Sequence, residues 1–131
     1  MGFLKPHVDK IYALLRIVAG LMFMQHGLQK LFGMFGGIPA DVPAFIKYGA
    51  GSIELLGGAL IAIGLLCSPV AFIASGQMAF AFFLGHVIRT KNIIPIENQG
   101  ELAALYCWLF LFIAARGAGI WSVDAAREKG A

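Results

Sequence analysis

IYALLRIVAGLMFMQHGLQKLF, residues 11–32, decides the fold class. It is apolar for most of its length, then carries Gln25, His26, Gln29 and Lys30 in its last two helical turns. At 1.5 Å per residue, a helix of this length spans the roughly 30 Å of a bilayer's hydrocarbon core. The apolar part is too long for a cleavable signal peptide, and polar residues interrupt it before any small-residue cleavage site. It therefore reads as a first transmembrane helix. Its polar end needs a separate explanation, because such side chains are expensive to bury in lipid.

The rest of the chain agrees with a membrane setting. Of 131 residues, 60% are hydrophobic and only 13% are charged. The mean hydropathy is +0.82. A soluble domain carries about a quarter charged residues, so this chain has too few polar groups to cover a water-facing surface. The formal charge of +3 suits basic ends beside anionic lipid, and no basic stripe with interleaved aromatics points to nucleic acid. Further apolar segments at 50–66, 69–88 and 100–117 are continuous rather than alternating. Helices are thus favoured over barrel strands. The expected architecture is all-α: one domain over 1–131, a four-helix up-down-up-down transmembrane bundle. Cys67-Ser68-Pro69 makes a tight hairpin, PAFIKYGA at 43–50 is a short interfacial amphipathic segment, and the polar tail after Trp121 is frayed. Lys5, Lys10, Arg116, Arg127 and Lys129 outnumber Lys47, Arg89 and Lys91 on the other side, which places the termini in the cytoplasm.

Antiparallel helices explain the polar end of the first segment. Glu54 starts the second helix, His86 and Arg89 end the third, and Glu101 starts the fourth. With Gln25, His26, Gln29 and Lys30 they gather in one half of the membrane. Gln25–Gln29 and His26–Lys30 are i,i+4 pairs on adjacent helix faces. The cluster balances two carboxylates, Glu54 and Glu101, against two cations, Lys30 and Arg89. It reads either as structural ion-pair glue or as a pocket for a polar head group. A quinone would find donors in His, Lys, Gln and Arg, and proton carriers in Glu and His. Haem between His26 and His86 is disfavoured, since axial ligation needs matched imidazoles. His26, His86, Glu54 and Glu101 are suitable ligand types, but no metal-binding spacing joins them, so no metal and no intrinsic cofactor is expected. Cys67 and Cys107 read as small buried hydrophobes that are not paired to each other.

LLRIVAGLMFMQHGLQKLFG (14–33), IELLGGALIAIGLL (53–66) and NQGELAALYCWLFLFIAARGAGIWSVDA (98–125) resemble the DoxX family of small bacterial and archaeal membrane proteins. The most specific positions are Arg16, Gly20, Gly27 and Lys30; Glu54, Gly57 and Gly58; Gly100 and Glu101; and Gly117, Gly119, Trp121, Ser122 and Asp124. The resemblance implies a four-helix membrane protein of the plasma membrane. It implies an accessory subunit of a quinone-linked or oxidative-stress-related redox system, working with redox-protein partners or as a homo-oligomer among lipids. It also puts Lys30, Glu54 and Glu101 at the family's polar positions. The alternatives are a non-enzymatic scaffold and an oligomeric carrier of small solutes or protons.

Overall fold

The computed structural model describes residues 1–130, and among these no strand occurs. Helix α1 is Val8–Phe32, entered through a short turn at Lys5–His7. Helix α2 is Gly51–Ile63, preceded without a break by a π-helical stretch, Phe45–Ala50. Helix α3 is Cys67–Phe80; it continues as a second π-helical stretch, Ala81–Val87, and a last turn, Ile88–Thr90. After one turn at Pro95–Asn98 come α4, Glu101–Arg116, and α5, Val123–Gly130.

Three continuous helices are long and apolar enough to cross a membrane: Lys5–Phe32, Phe45–Ile63 and Cys67–Thr90. The fourth apolar segment is shorter than the other three: α4 has 16 residues, or about 24 Å of helix. Large apolar side chains on all four helices point outward, among them Leu14, Leu56, Phe72 and Trp108.

Helices α1 and α2 pack antiparallel through glycine. A Cβ on Gly20 would lie 2.6 Å from the backbone nitrogen of Ala62, and one on Gly27 would lie 2.3 Å from that of Leu55. Only glycine permits so close a backbone approach, and in lipid such close packing supplies much of the attraction between helices. Helices α3 and α4 pack through small residues and one hydroxyl, Ser75 Oγ donating to the Cys107 carbonyl at 2.7 Å. The two pairs meet at Phe23, whose ring lies 4.7 Å from Phe110 and 5.5 Å from Tyr106.

Two local expectations change. PAFIKYGA does not form a separate interfacial helix: Phe45–Ala50 runs straight into α2. The tail is ordered as α5, because Asp124 has a backbone task. Its carboxylate accepts the N–H groups of Leu66 and Cys67, both at 2.9 Å, and so caps the start of α3. Helix ends also move by a few residues from those expected. Helix α1 begins at Val8, the second segment ends at Ile63, the third runs over Cys67–Thr90, and α4 ends at Arg116.

Candidate functional site

At the end of the molecule away from the α2–α3 turn, helices α1 to α4 line a partly open cavity of about 620 Å³. That is the size of an ordinary small-molecule site. Most of its wall is apolar, and a few polar side chains converge on it. His26 and Lys30 come from α1, Glu54 from α2, Gln77 from α3, His86 from the π-helical continuation and Tyr106 from α4.

Glu54 is the hub. It is 3% exposed, and both carboxylate oxygens are engaged. Lys30 Nζ lies 2.8 Å from Oε2, and Gln77 Nε2 donates to Oε1 at 2.9 Å. A buried carboxylate is tolerated when it is paired and hydrogen-bonded on both sides. The charge of the Lys30–Glu54 pair sums to zero. The carboxylate also fixes the Gln77 amide, since the nitrogen must face it and the oxygen must turn away. That oxygen, Gln77 Oε1, is buried with no partner, and so is the Tyr106 hydroxyl. Tyr106 is 4% exposed. The His26 ring stands edge-on to Tyr106, 6.1 Å between centroids.

His86 lines the cavity with another duty. Its Nδ1 lies 3.0 Å from the carbonyl of Asn98; a carbonyl only accepts, so Nδ1 is the donor in this contact. Asn98 is fully buried and itself holds the loop, accepting from Gly100 N at 2.7 Å and donating to the Asn92 carbonyl at 3.0 Å.

The other residues of the expected cluster lie elsewhere. Gln25, Arg89 and Glu101 are exposed and do not line the cavity. Gln29 reaches the Phe35 carbonyl at 3.4 Å. Among the described residues the ion pairs are Lys30–Glu54 and Arg116–Asp9, so Arg89 and Glu101 do not pair with each other. No three His, Cys, Asp or Glu side chains in that set are placed to share a metal ion. Cys67 and Cys107 are both free thiols.

Two cavity residues escaped the sequence reading as site residues: Gln77 and Tyr106. Their signal was present, since an amide and a phenol inside apolar spans each need a polar partner. Arg16, named above only among the positions of the resemblance, is fully buried. Its five N–H groups meet five carbonyls. Nε donates to Ile61 (3.1 Å), Nη1 to Ala118 and to Ile120 (3.1 Å), and Nη2 to Ala62 (3.4 Å) and Trp121 (2.8 Å). No donor is left for a ligand.

The DoxX family model matches residues 11–87. A Haemophilus influenzae protein named "Uncharacterized protein" is 40% identical over 129 residues, covering 95% of this chain and 96% of the relative. A Bacillus subtilis protein named "Putative oxidoreductase CatD" is 31% identical over 121 residues, covering 89% and 87%. No solved structure matches the chain at a significant level.

Proposed function

The chain belongs to the DoxX family of membrane proteins, and on that footing we propose that it is an accessory subunit of a membrane redox system, holding a polar head group in the cavity around Glu54. The observation that carries this reading is the unpartnered pair of buried atoms, Gln77 Oε1 and Tyr106 Oη, beside a charge-balanced Lys30–Glu54 pair. An orphaned buried polar atom costs roughly 1–3 kcal/mol, and a bound molecule that hydrogen-bonds to it removes that cost. The redox assignment draws on the name of the Bacillus subtilis relative. A quinone-type ring in its reduced, hydroxyl-bearing form is one head group of suitable size. In this reading Lys30, His26, Tyr106 and Gln77 bind the head, while Glu54 fixes Lys30 and carries protons. Gln25, Gln29, Arg89 and Glu101 belong to the outer rim facing partner subunits.

The proposal extends to placement. Residues 1–131 form one domain that crosses a bacterial or archaeal plasma membrane four times, up-down-up-down, with cytoplasmic termini. Antiparallel contacts within the α1–α2 and α3–α4 pairs support this arrangement. So does the exposed Trp121 beyond α4, at a position suited to the lipid–water boundary.

The test is mass spectrometry of small molecules that co-purify in mild detergent, comparing the native chain with Glu54→Gln. A molecule enriched in the native sample and lost in the variant supports the head-group site. Two equally folded samples with no retained molecule reject it and favour a scaffold held together by the Lys30–Glu54 pair.

A further inference from the structure

The cavity is partly open, and exposed apolar residues stand at its edge. Its wall includes Phe45 and Ile46 from the π-helical stretch before α2, and Ala81, Leu84 and Gly85 from the π-helical stretch of α3, with Phe80 just before it. Phe45, Phe80 and Leu84 are exposed apolar residues. The two helices approach each other near their common turn, where a Cβ on Gly57 would lie 3.6 Å from Val70. Farther along, Ala50, Ile53 and Glu54 of one and Gln77, Phe80 and Leu84 of the other border the cavity. Both flanks of this opening belong to helices able to span a membrane. Both depart from α-helical geometry within it. π-Helical turns are rare and concentrate at functional sites; two facing the same cavity are hard to ascribe to chance.

We infer that this gap is a lateral portal, and that the occupant is an uncharged amphiphile: a hydroxyl-bearing head in the cavity and a hydrocarbon tail passing between Phe45, Phe80 and Leu84 into the bilayer. The inference rests on the reading that the cavity holds a polar head. Three features select the ligand class. The mouth is apolar, so what passes through it must dissolve in lipid. The inner charges, Lys30 and Glu54, cancel, which disfavours an anionic phosphate head, because burying an unbalanced charge is expensive. Gln77 Oε1 can only accept, so the head must donate at least one hydrogen bond; a hydroxyl does so, and its own oxygen accepts from Tyr106. Neither atom is open to solvent where it stands, so a small side-chain rotation accompanies binding.

The experiment uses the full chain in phosphatidylcholine nanodiscs, with empty discs as the blank. The probes are 4-dodecylphenol, phenol and dodecyl phosphate, quantified by mass spectrometry after washing. Retention of dodecylphenol near one per chain is expected, with dodecyl phosphate and phenol at least roughly tenfold lower above blank. Gly85→Leu narrows the mouth, and a Cβ there meets nothing within 4 Å, so the fold accommodates it. It should slow uptake roughly tenfold, while Leu84→Ala should speed it. Tyr106→Phe should lower retention roughly three- to tenfold without slowing entry. Equal retention of phenol and dodecylphenol, or uptake indifferent to both mouth variants, overturns the portal and leaves the head-group site standing. Preference for dodecyl phosphate overturns the uncharged class. Failure of all three probes to exceed the blank removes the head-group site and the portal with it.

Discussion

Substituting Gly27 by alanine tests how the packing of α1 on α2 builds the site. The new Cβ would sit 2.3 Å from the Leu55 nitrogen and 2.7 Å from the Gly51 carbonyl oxygen, where ordinary contact begins at 3.4 Å. Both obstacles are backbone, so no side chain can turn aside. From 2.3 to 3.4 Å, the helices must part locally by about 1 Å, and overpacking of this kind costs roughly 1–3 kcal/mol. Alanine's higher helix propensity offsets up to about 1 kcal/mol of that. Gly76→Ala supplies the control, since a Cβ there meets nothing within 4 Å. The difference between the two variants therefore isolates the clash. Lys30 lies one turn beyond Gly27 and Glu54 adjoins Leu55, so the same opening stretches their 2.8 Å contact toward the limit of hydrogen bonding. Thermal unfolding in detergent can be followed through Cys67, a free thiol 1% exposed, with a thiol-reactive fluorophore. Gly27→Ala should melt several degrees below Gly76→Ala (about 2–4 °C per kcal/mol for a chain near this size) and should lose ligand retention as well. Superimposable melting curves for the two variants would refute the account of the helix pair.

Arg16→Met leaves the carbonyls of Ile61, Ala62, Ala118, Ile120 and Trp121 without their donor; at about 1–3 kcal/mol per buried orphan the loss should abolish a monodisperse peak on size exclusion, with Arg16→Lys in between. A normal peak for the methionine variant would contradict this. Asp124→Ala removes the cap on Leu66 and Cys67. It should lower stability by about 1 kcal/mol and speed hydrogen exchange at those two amides; unchanged exchange there would speak against the cap. Lys30→Met strands the Glu54 carboxylate and should cost about 3–5 kcal/mol, whereas Lys30→Met with Glu54→Gln should recover most of it. A double variant no more stable than the single one would deny the pairing.

Helical class and membrane setting were legible because they depend on composition and on run length, which survive any detail of packing. That Lys30 and Glu54 lie at the same end was legible for a related reason, since antiparallel helices bring those positions together, but which carboxylate meets which cation was not. Arg89 and Glu101 follow the same rule in sequence and fail it in space. They sit at helix ends, where solvent is close and no partner is required. Asp124 was read as part of a loose tail because its task, capping α3 across 57 residues of chain, leaves no local trace. The π-helical stretches were equally hidden, since Phe45–Ala50 and Ala81–Val87 have compositions that suit an ordinary helix. Tyr106 was hidden among aromatics, and only its unpartnered hydroxyl distinguishes it from Phe110.

The two ends of the bundle treat polar groups in opposite ways, and that contrast separates structure from function. At the end with the termini, every donor of Arg16 meets a backbone carbonyl. Tyr12 donates to the Gly117 carbonyl at 2.5 Å, and Arg116 lies over the Tyr12 ring, 4.4 Å from its centroid. Trp121 even takes a left-handed backbone, φ 56°, and directs its carbonyl to Arg16, a conformation that persists only where its surroundings enforce it. At the other end Lys30, Glu54 and Gln77 satisfy one another by side chain, and two atoms are left over. A fully satisfied guanidinium has nothing to offer a ligand, however unusual a buried charge is in a membrane helix. Unmet hydrogen-bonding capacity beside a cavity is what a ligand can use. For that reason Arg16, the most conspicuous charge in the spans, has no donor free for a ligand, while Tyr106 and Gln77, which carry no charge, line the cavity with unpartnered atoms that the proposed ligand would use.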